Sequence, residues 1–132
     1  MEDPCSPKKT VLVVDDERDI CMLLRIVLEE HGYKVLEASD GQKALELLES
    51  DAGNEKEIRC VITDYLMPRM NGFDLCKSIK ANPRYQHIKD VILITAFLDR
   101  DRFERMGCFS DKLLKPIDFP VLLDKLSSHM MN

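Results

Sequence analysis

Thr10-Val11-Leu12-Val13-Val14-Asp15-Asp16-Glu17 is the stretch that decides the fold. Its first five residues are rich in β-branched side chains and show no polar alternation. A strand half-exposed to water would alternate, so this one is expected to be buried on both faces, as in a parallel sheet. It ends abruptly in three acids. Ile20, Leu23, Leu24, Val27 and Leu28 follow at helical spacing, and Gly32 stands where a helix C-terminal cap would sit.

The same alternation repeats along the chain. Tyr33 to Ala38 reads as a second strand, and Ser39 with Gln42 fits a capping box opening a helix with Ala44, Leu45 and Leu48. Asp51 to Glu57 reads as a polar loop. Cys60-Val61-Ile62-Thr63 is a third strand ending at Asp64, before a helix with Leu75, Cys76 and Ile79 that stops ahead of Pro83. Val91-Ile92-Leu93-Ile94 ends at Thr95, and a charged helix is expected over Asp99 to Met106. Leu113-Leu114 ends at Lys115-Pro116, and Asp118 caps a closing helix with Phe119, Leu122, Leu123 and Leu126 on one face. Strands alternating with helices five times over indicate an α/β sandwich around a parallel sheet. Residues 1–8, with two prolines and no periodicity, read as a flexible N-terminal tail, leaving one domain over residues 9–130.

The composition narrows the function classes. The 132 residues are 45% hydrophobic and 33% charged, which suits a soluble globular domain, and the net charge of −5 argues against direct nucleic-acid binding. No apolar run approaches a membrane span and no signal peptide is evident, so a cytoplasmic protein without membrane contact is expected. The five cysteines are odd in number, scattered and without a CxxC pair; reduced, mostly buried thiols are the expectation.

Polar side chains stand at the carboxyl ends of four strands: Asp15 and Asp16, Asp64, Thr95 and Lys115. Open parallel sheets bind ligands just outside those ends, where the strand order reverses. Were strands one and three neighbours, about 4.8 Å apart, three carboxylates would share a few ångströms and repel by roughly 4 kcal/mol per pair at an effective dielectric near 20. A hard divalent cation resolves that conflict, and Mg²⁺ suits a few carboxylates plus waters. Lys115 adds a counter-charge that a metal site alone does not need. Three aspartates, one divalent ion and one ammonium sum to zero, a balance fitted to receiving a phosphoryl group on Asp64.

These motifs, Val13-Val14-Asp15-Asp16-Glu17, Asp64-Tyr65-Leu66-Met67-Pro68-Arg69-Met70-Asn71-Gly72, Thr95-Ala96 and Lys115-Pro116, resemble the receiver domain of two-component response regulators. The resemblance covers about residues 9–130. It implies the flavodoxin-like (CheY-like) fold, a doubly wound five-stranded parallel sheet of order 2-1-3-4-5 flanked by five helices. It also implies residue roles. Asp64 is the phosphoacceptor, served by a histidine kinase or phosphotransfer protein. Asp15, Asp16, Asp64 and the backbone carbonyl of Leu66 hold Mg²⁺. Thr95 is the switch hydroxyl, Lys115 is the phosphate clamp, and the Lys115–Pro116 bond is cis. Such a domain catalyses only its own phosphorylation and slow autodephosphorylation, so it is a switch and not an enzyme in the usual sense. Its fourth helix, fifth strand and fifth helix form the surface that changes for a downstream protein target, and that face also pairs many receivers into homodimers. A stand-alone or excised receiver, without an output domain in these residues, is the expected form.

Two positions depart from the family. Lys112 stands where an aromatic residue usually lies, three before Lys115, and leaves open a degenerate receiver acting only as a protein-interaction module. Cys108 stands at a common glycine position, with Gly107 one earlier. A haloacid dehalogenase-type phosphatase would want a second aspartate where Leu66 is, and a flavodoxin would want hydroxyls where Asp15 and Asp16 are. Leu66 and Phe97, both apolar, flank the path of an attacking water, which predicts a long-lived phosphoaspartate. Met67 and Met70 are expected to fill core space, and His31 to lie at a helix end.

Overall fold

A computed structural model of the chain describes residues 9–52, 58–96, 105 and 107–130. Five parallel strands, β1 (Thr10–Val14), β2 (Lys34–Ala38), β3 (Ile58–Asp64), β4 (Asp90–Thr95) and β5 (Asp111–Leu114), form one sheet in the order β2-β1-β3-β4-β5. The described helices are α1 (Arg18–Glu30), α2 (Gly41–Ala52), α3 (Gly72–Ala81) and α4 (Phe119–Met130), with a 3₁₀ turn at Pro83–Tyr85. The flavodoxin-like architecture is therefore present with four α-helices among the described residues, not the five expected. The charged helix expected over Asp99 to Met106 lies outside them, apart from Arg105, which is helical. The expected tail of residues 1–8 lies outside them too.

The continuous apolar runs find their reason in the two layers of helices. Val11, Val13, Cys60, Ile62, Ile92 and Ile94 face α1 and α4 through Leu24, Leu28, Leu122 and Leu126. The alternate residues Leu12, Val14, Val61 and Val91 face α2 and α3 through Ala44, Leu48, Leu75 and Ile79. Met67 and Met70 pack against this second layer, as expected. Burying each such side chain contributes about 1.5–3 kcal/mol, so the fully buried central positions of β1, β3 and β4 do not tolerate an unpaired charge. The order in which successive strands are added reverses between the parallel neighbours β1 and β3, and this is the crevice that positions the site.

Three local readings change. The cap of α2 is Asp40, whose Oδ1 accepts from the Lys43 N–H at 2.8 Å; Ser39 lies one residue too early, so the Ser39–Gln42 capping box does not form. The strands β3 and β5 begin earlier than their apolar cores, at Ile58 and Asp111. Two of the cysteines are not free thiols: Cys76 and Cys108 are joined in a disulfide, while Cys21 and Cys60 are buried and unpaired. Spacing could not reveal that pair, because 32 residues separate its members. The Cys108 departure thus has a physical partner, and its neighbour Gly107 takes φ +63°, the left-handed turn that glycine adopts without cost. At the end of α1, Gly32 does the same at φ +89°, and His31 Nδ1 lies 2.9 Å from the Val27 carbonyl oxygen.

Candidate phosphoryl-acceptor site

Strand register assembles the site. Val14 lies opposite Thr63, so Asp15 and Asp64 are the next pair; Asp64 lies opposite Ile94, placing Thr95 one step on; Thr95 lies opposite Leu114, placing Lys115 one step beyond. Each residue ends or directly follows a strand whose burial is fixed by its apolar core, so four separate segments deliver side chains to one rim. The end of β3 is held by a close approach. The Gly72 N–H donates to the Tyr65 carbonyl at 2.8 Å, and a Cβ at Gly72 would stand 2.4 Å from the Asp64 carbonyl oxygen. Only glycine can begin α3 there. Asn71 caps that helix by accepting from the Asp74 N–H at 2.8 Å.

Asp15 and Asp64 are 3% and 8% exposed, Thr95 is 1% exposed, and Asp16 points into solvent. Lys115 Nζ lies 3.0 Å from Asp15 Oδ2 and 3.2 Å from Asp64 Oδ2, so one ammonium bridges both buried carboxylates. Glu17 Oε1 stands 3.7 Å from the same nitrogen. The remaining oxygens are held by backbone: Asp15 Oδ1 accepts from the Glu17 N–H at 2.9 Å, and Asp64 Oδ1 from the Tyr65 N–H at 2.8 Å. The Lys115 N–H donates to the Thr95 carbonyl at 2.8 Å, and the Lys115–Pro116 bond is cis.

Burial is the largest influence on Asp15 and Asp64 and pushes both carboxyls above the ordinary aspartate range; Asp64 adds to the shift at Asp15 and Asp16 to that at Asp64, while Lys115 opposes both. Burial also opposes the charge on Lys115, but the hydrogen bond and charge of Asp15 and the charge of Asp64 outweigh it and hold the ammonium above its usual pKa. One lysine does not neutralise the nest. A carboxylate oxygen from each of Asp15, Asp16 and Asp64 lies within 4.8 Å of the others. Oxygens around Mg²⁺ lie at most about 4.2 Å apart, so small side-chain rotations would gather them. An all-oxygen, net anionic donor set fits that ion. Leu66, two residues past Asp64, is 56% exposed.

The structure brings together Asp15, Asp16, Asp64 and Lys115 and aligns Thr95 beside them. The contributions of Glu17 and of the Tyr65 N–H were not assigned from sequence. The Tyr65 contact is a backbone bond that carries no residue signature, whereas Glu17 was visible as the third acid after the first strand and as part of a motif, without a role of its own. Phe97 lies outside the described residues.

The response regulator receiver domain model matches residues 11–127. The transcriptional regulatory protein CpxR of Escherichia coli is 36% identical over 111 residues, covering 82% of this chain and 43% of that protein. The response regulator PleD of Caulobacter vibrioides is 37% identical over 120 residues, covering 89% of this chain and 25% of that protein. The chain thus spans less than half the length of these relatives. Among solved structures, the response regulator TrrA from Thermotoga maritima, in complex with Mg²⁺ and beryllofluoride, superposes with a TM-score of 0.77 at 30% identity, covering 92% of this chain and 99% of that one. The architecture, the motifs and these likenesses agree: the chain belongs to the response regulator receiver domain family.

Proposed function

We propose that the chain is a phosphoryl-accepting switch in which Asp64 takes a phosphoryl group from the phosphohistidine of a histidine kinase or phosphotransfer protein. The observation that carries this reading is the convergence of Asp15, Asp16 and Asp64 on a single bridging lysine. An Asp64 oxygen attacks phosphorus as the phosphorus–nitrogen bond to the donor imidazole breaks. The Tyr65 N–H and Lys115 fix the two Asp64 oxygens before the reaction, so little orientational freedom remains to be lost. Magnesium, when bound by Asp15, Asp16, Asp64 and the Leu66 carbonyl, supplies the positive charge that lets an anionic donor approach three carboxylates. The Mg²⁺–beryllofluoride complex of the similar Thermotoga protein supports that assignment.

Phosphorylation removes the Asp64 charge and adds about two. Lys115 pairs with the phosphoryl oxygens, and the Thr95 hydroxyl donates to one of them. Thr95 ends β4 beside β5, and Lys115 leads from β5 toward α4, a face on which Leu114 and Val121 are exposed apolar side chains. Their movement shifts the population of that face toward a form that binds a downstream protein or a second copy of the chain. The domain acts chemically only on itself, with slow loss of the phosphoryl group, in the cytoplasm. A receiver that only binds is the competing reading, favoured by Lys112, which lies half-buried in β5.

Labelling with acetyl phosphate and Mg²⁺ tests the proposal. One phosphoryl group per chain is expected, lost on chelation of the metal and in Asp64→Asn. Undiminished labelling of Asp64→Asn would overturn the assignment, and a wild-type chain that stays unlabelled would favour the binding-only reading.

A further inference from the structure

The disulfide lies outside the phosphoryl-acceptor site, yet it is connected to it. Cys76 is fully buried in α3, whereas Cys108 is half-buried in the segment entering β5. Cys108 also lines an open groove of about 620 Å³ with Gly107, Ala81, Lys77 and Lys80. Lys77 lies over the Phe73 ring at 4.7 Å and 3.9 Å from Asp74; Lys80 Nζ donates to the neutral Lys89 carbonyl at 3.2 Å. Both ammonium groups remain exposed, so the approach to Cys108 is cationic. On the other side, Phe109 packs with Phe73, their ring centroids 6.5 Å apart, and joins the cluster of Tyr65 and Leu93. Tyr65 is the residue whose N–H holds Asp64. The bond therefore fixes a segment that packs on the phosphoacceptor loop at one end and runs through β5 to Lys115 at the other.

We propose that Cys76 and Cys108 form a reversible thiol–disulfide site, exchanged at Cys108 by an acidic low-molecular-weight thiol of the glutathione class, and that its state governs how readily Asp64 is phosphorylated. The second half rests on the phosphoryl-acceptor reading; the first does not. Attack by a thiolate on Cys108 Sγ forms a mixed disulfide as the Cys76–Cys108 bond breaks, and Cys76 leaves with the electron pair and takes a proton from water. A second thiolate attacks the outer sulfur and expels Cys108, which is protonated in turn. Two small thiols are oxidised to their disulfide while the protein disulfide is reduced to two thiols; the small disulfide drives the reverse. Access selects Cys108, since Cys76 Sγ lies beneath it in the core. The two lysines select an anionic thiol. Reduction frees the segment entering β5 to follow Thr95 and Lys115, so the reduced form is the faster acceptor.

The test uses the full chain, with glutathione and neutral β-mercaptoethanol as probes and peptide mass spectrometry of alkylated protein as readout. The wild-type chain should isolate oxidised and equilibrate with glutathione buffers. In Cys76→Ser, glutathione disulfide should give a mixed disulfide at Cys108; in Cys108→Ser, Cys76 should stay unmodified. Lys77→Gln with Lys80→Gln should slow reduction by glutathione by about three- to tenfold, and reduction by β-mercaptoethanol, whose thiolate carries one negative charge fewer, by clearly less. Adducts at Cys76, none at Cys108, or equal slowing of both probes would overturn the exchange. Acetyl phosphate should label the reduced wild type at least about fivefold faster than the oxidised form, and equal rates would overturn the coupling. Absence of labelling in both forms would defeat the phosphoryl-acceptor reading and the coupling with it, while the glutathione arm decides the exchange by itself.

Discussion

The two rims of the sheet use the same residue types to opposite effect. At the amino rim, Asp111 at the start of β5 meets Lys125 at 3.0 Å and His129 at 3.3 Å, and His129 reaches Asp90 at 3.2 Å. At the carboxyl rim, Asp15 and Asp64 share Lys115, with Asp16 and Glu17 nearby. Burial pushes Asp111 upward, but Lys125, the Lys112 N–H and His129 outweigh it and leave the carboxyl below its ordinary range. Burial wins at Asp15 and Asp64. The amino rim is therefore satisfied and stabilising, whereas the carboxyl rim carries excess negative charge at a stability cost. A rim left short of cations is electrostatically suited to the metal ion that the proposed function requires.

The largest effect should come from removing the bridging cation. Lys115→Met leaves two buried carboxylates without their partner and should destabilise the metal-free protein by about 3 kcal/mol at neutral pH. Lys125→Met, at a more exposed pair, should cost under about 1 kcal/mol. Urea unfolding of both variants checks the contrast, and equal losses would remove the distinction between the rims.

Neutralising the acids should give opposite signs. A carboxyl with a raised folded pKa contributes stability that is complete below its unfolded pKa and lost as pH rises through the folded value. Asp15→Asn should therefore raise the melting temperature of the metal-free protein at pH 7, with the gain shrinking as pH falls toward 4. Asp111, with its lowered pKa, contributes stability present above the ordinary aspartate range and lost as pH falls through its folded value. Asp111→Asn should accordingly lower the melting temperature at pH 7. Calorimetric melts between pH 4 and 8 measure both; a shared sign would break the comparison.

Metal should act at one rim only. Mg²⁺ at ten times its dissociation constant should stabilise the wild type by about 1.4 kcal/mol. Asp16→Ala should abolish this response while scarcely changing metal-free stability, because Asp16 is exposed. Asp90→Asn should leave it intact. The smallest effect expected is kinetic. Leu66→Asn, placing a polar group two residues past Asp64, should shorten the phosphoaspartate half-life several-fold, read by decay of the labelled protein; an unchanged half-life would contradict the role given to an apolar residue there.

Much of this was legible in the sequence, for a physical reason. Strands buried on both faces must be apolar throughout, so β1, β3 and β4 announce themselves, and the reactive residues at their ends are visible because they interrupt those runs. Asp64, Asp15, Asp16 and Lys115 were found in this way. What the sequence hid depends on three-dimensional proximity or on backbone atoms. Asp40, not Ser39, caps α2 because the helix begins at Gly41, one residue later than a Ser39 cap requires, although β2 ends at Ala38 as expected. Cys76 and Cys108 meet because α3 and the approach to β5 pack together. The Tyr65 N–H on Asp64 follows from a turn that Gly72 alone allows.

The central claim is that the acidic rim gathers a magnesium ion so that Asp64 can carry a phosphoryl group opposite Lys115. Amide NMR of the wild-type chain titrated with Mg²⁺ and beryllofluoride tests it most directly. One equivalent should bind, moving the resonances of residues 15, 64, 95 and 115 together, and Asp64→Asn should abolish beryllofluoride binding. Unmoved resonances at saturating Mg²⁺ and beryllofluoride, or shifts that persist in Asp64→Asn, would contradict the account.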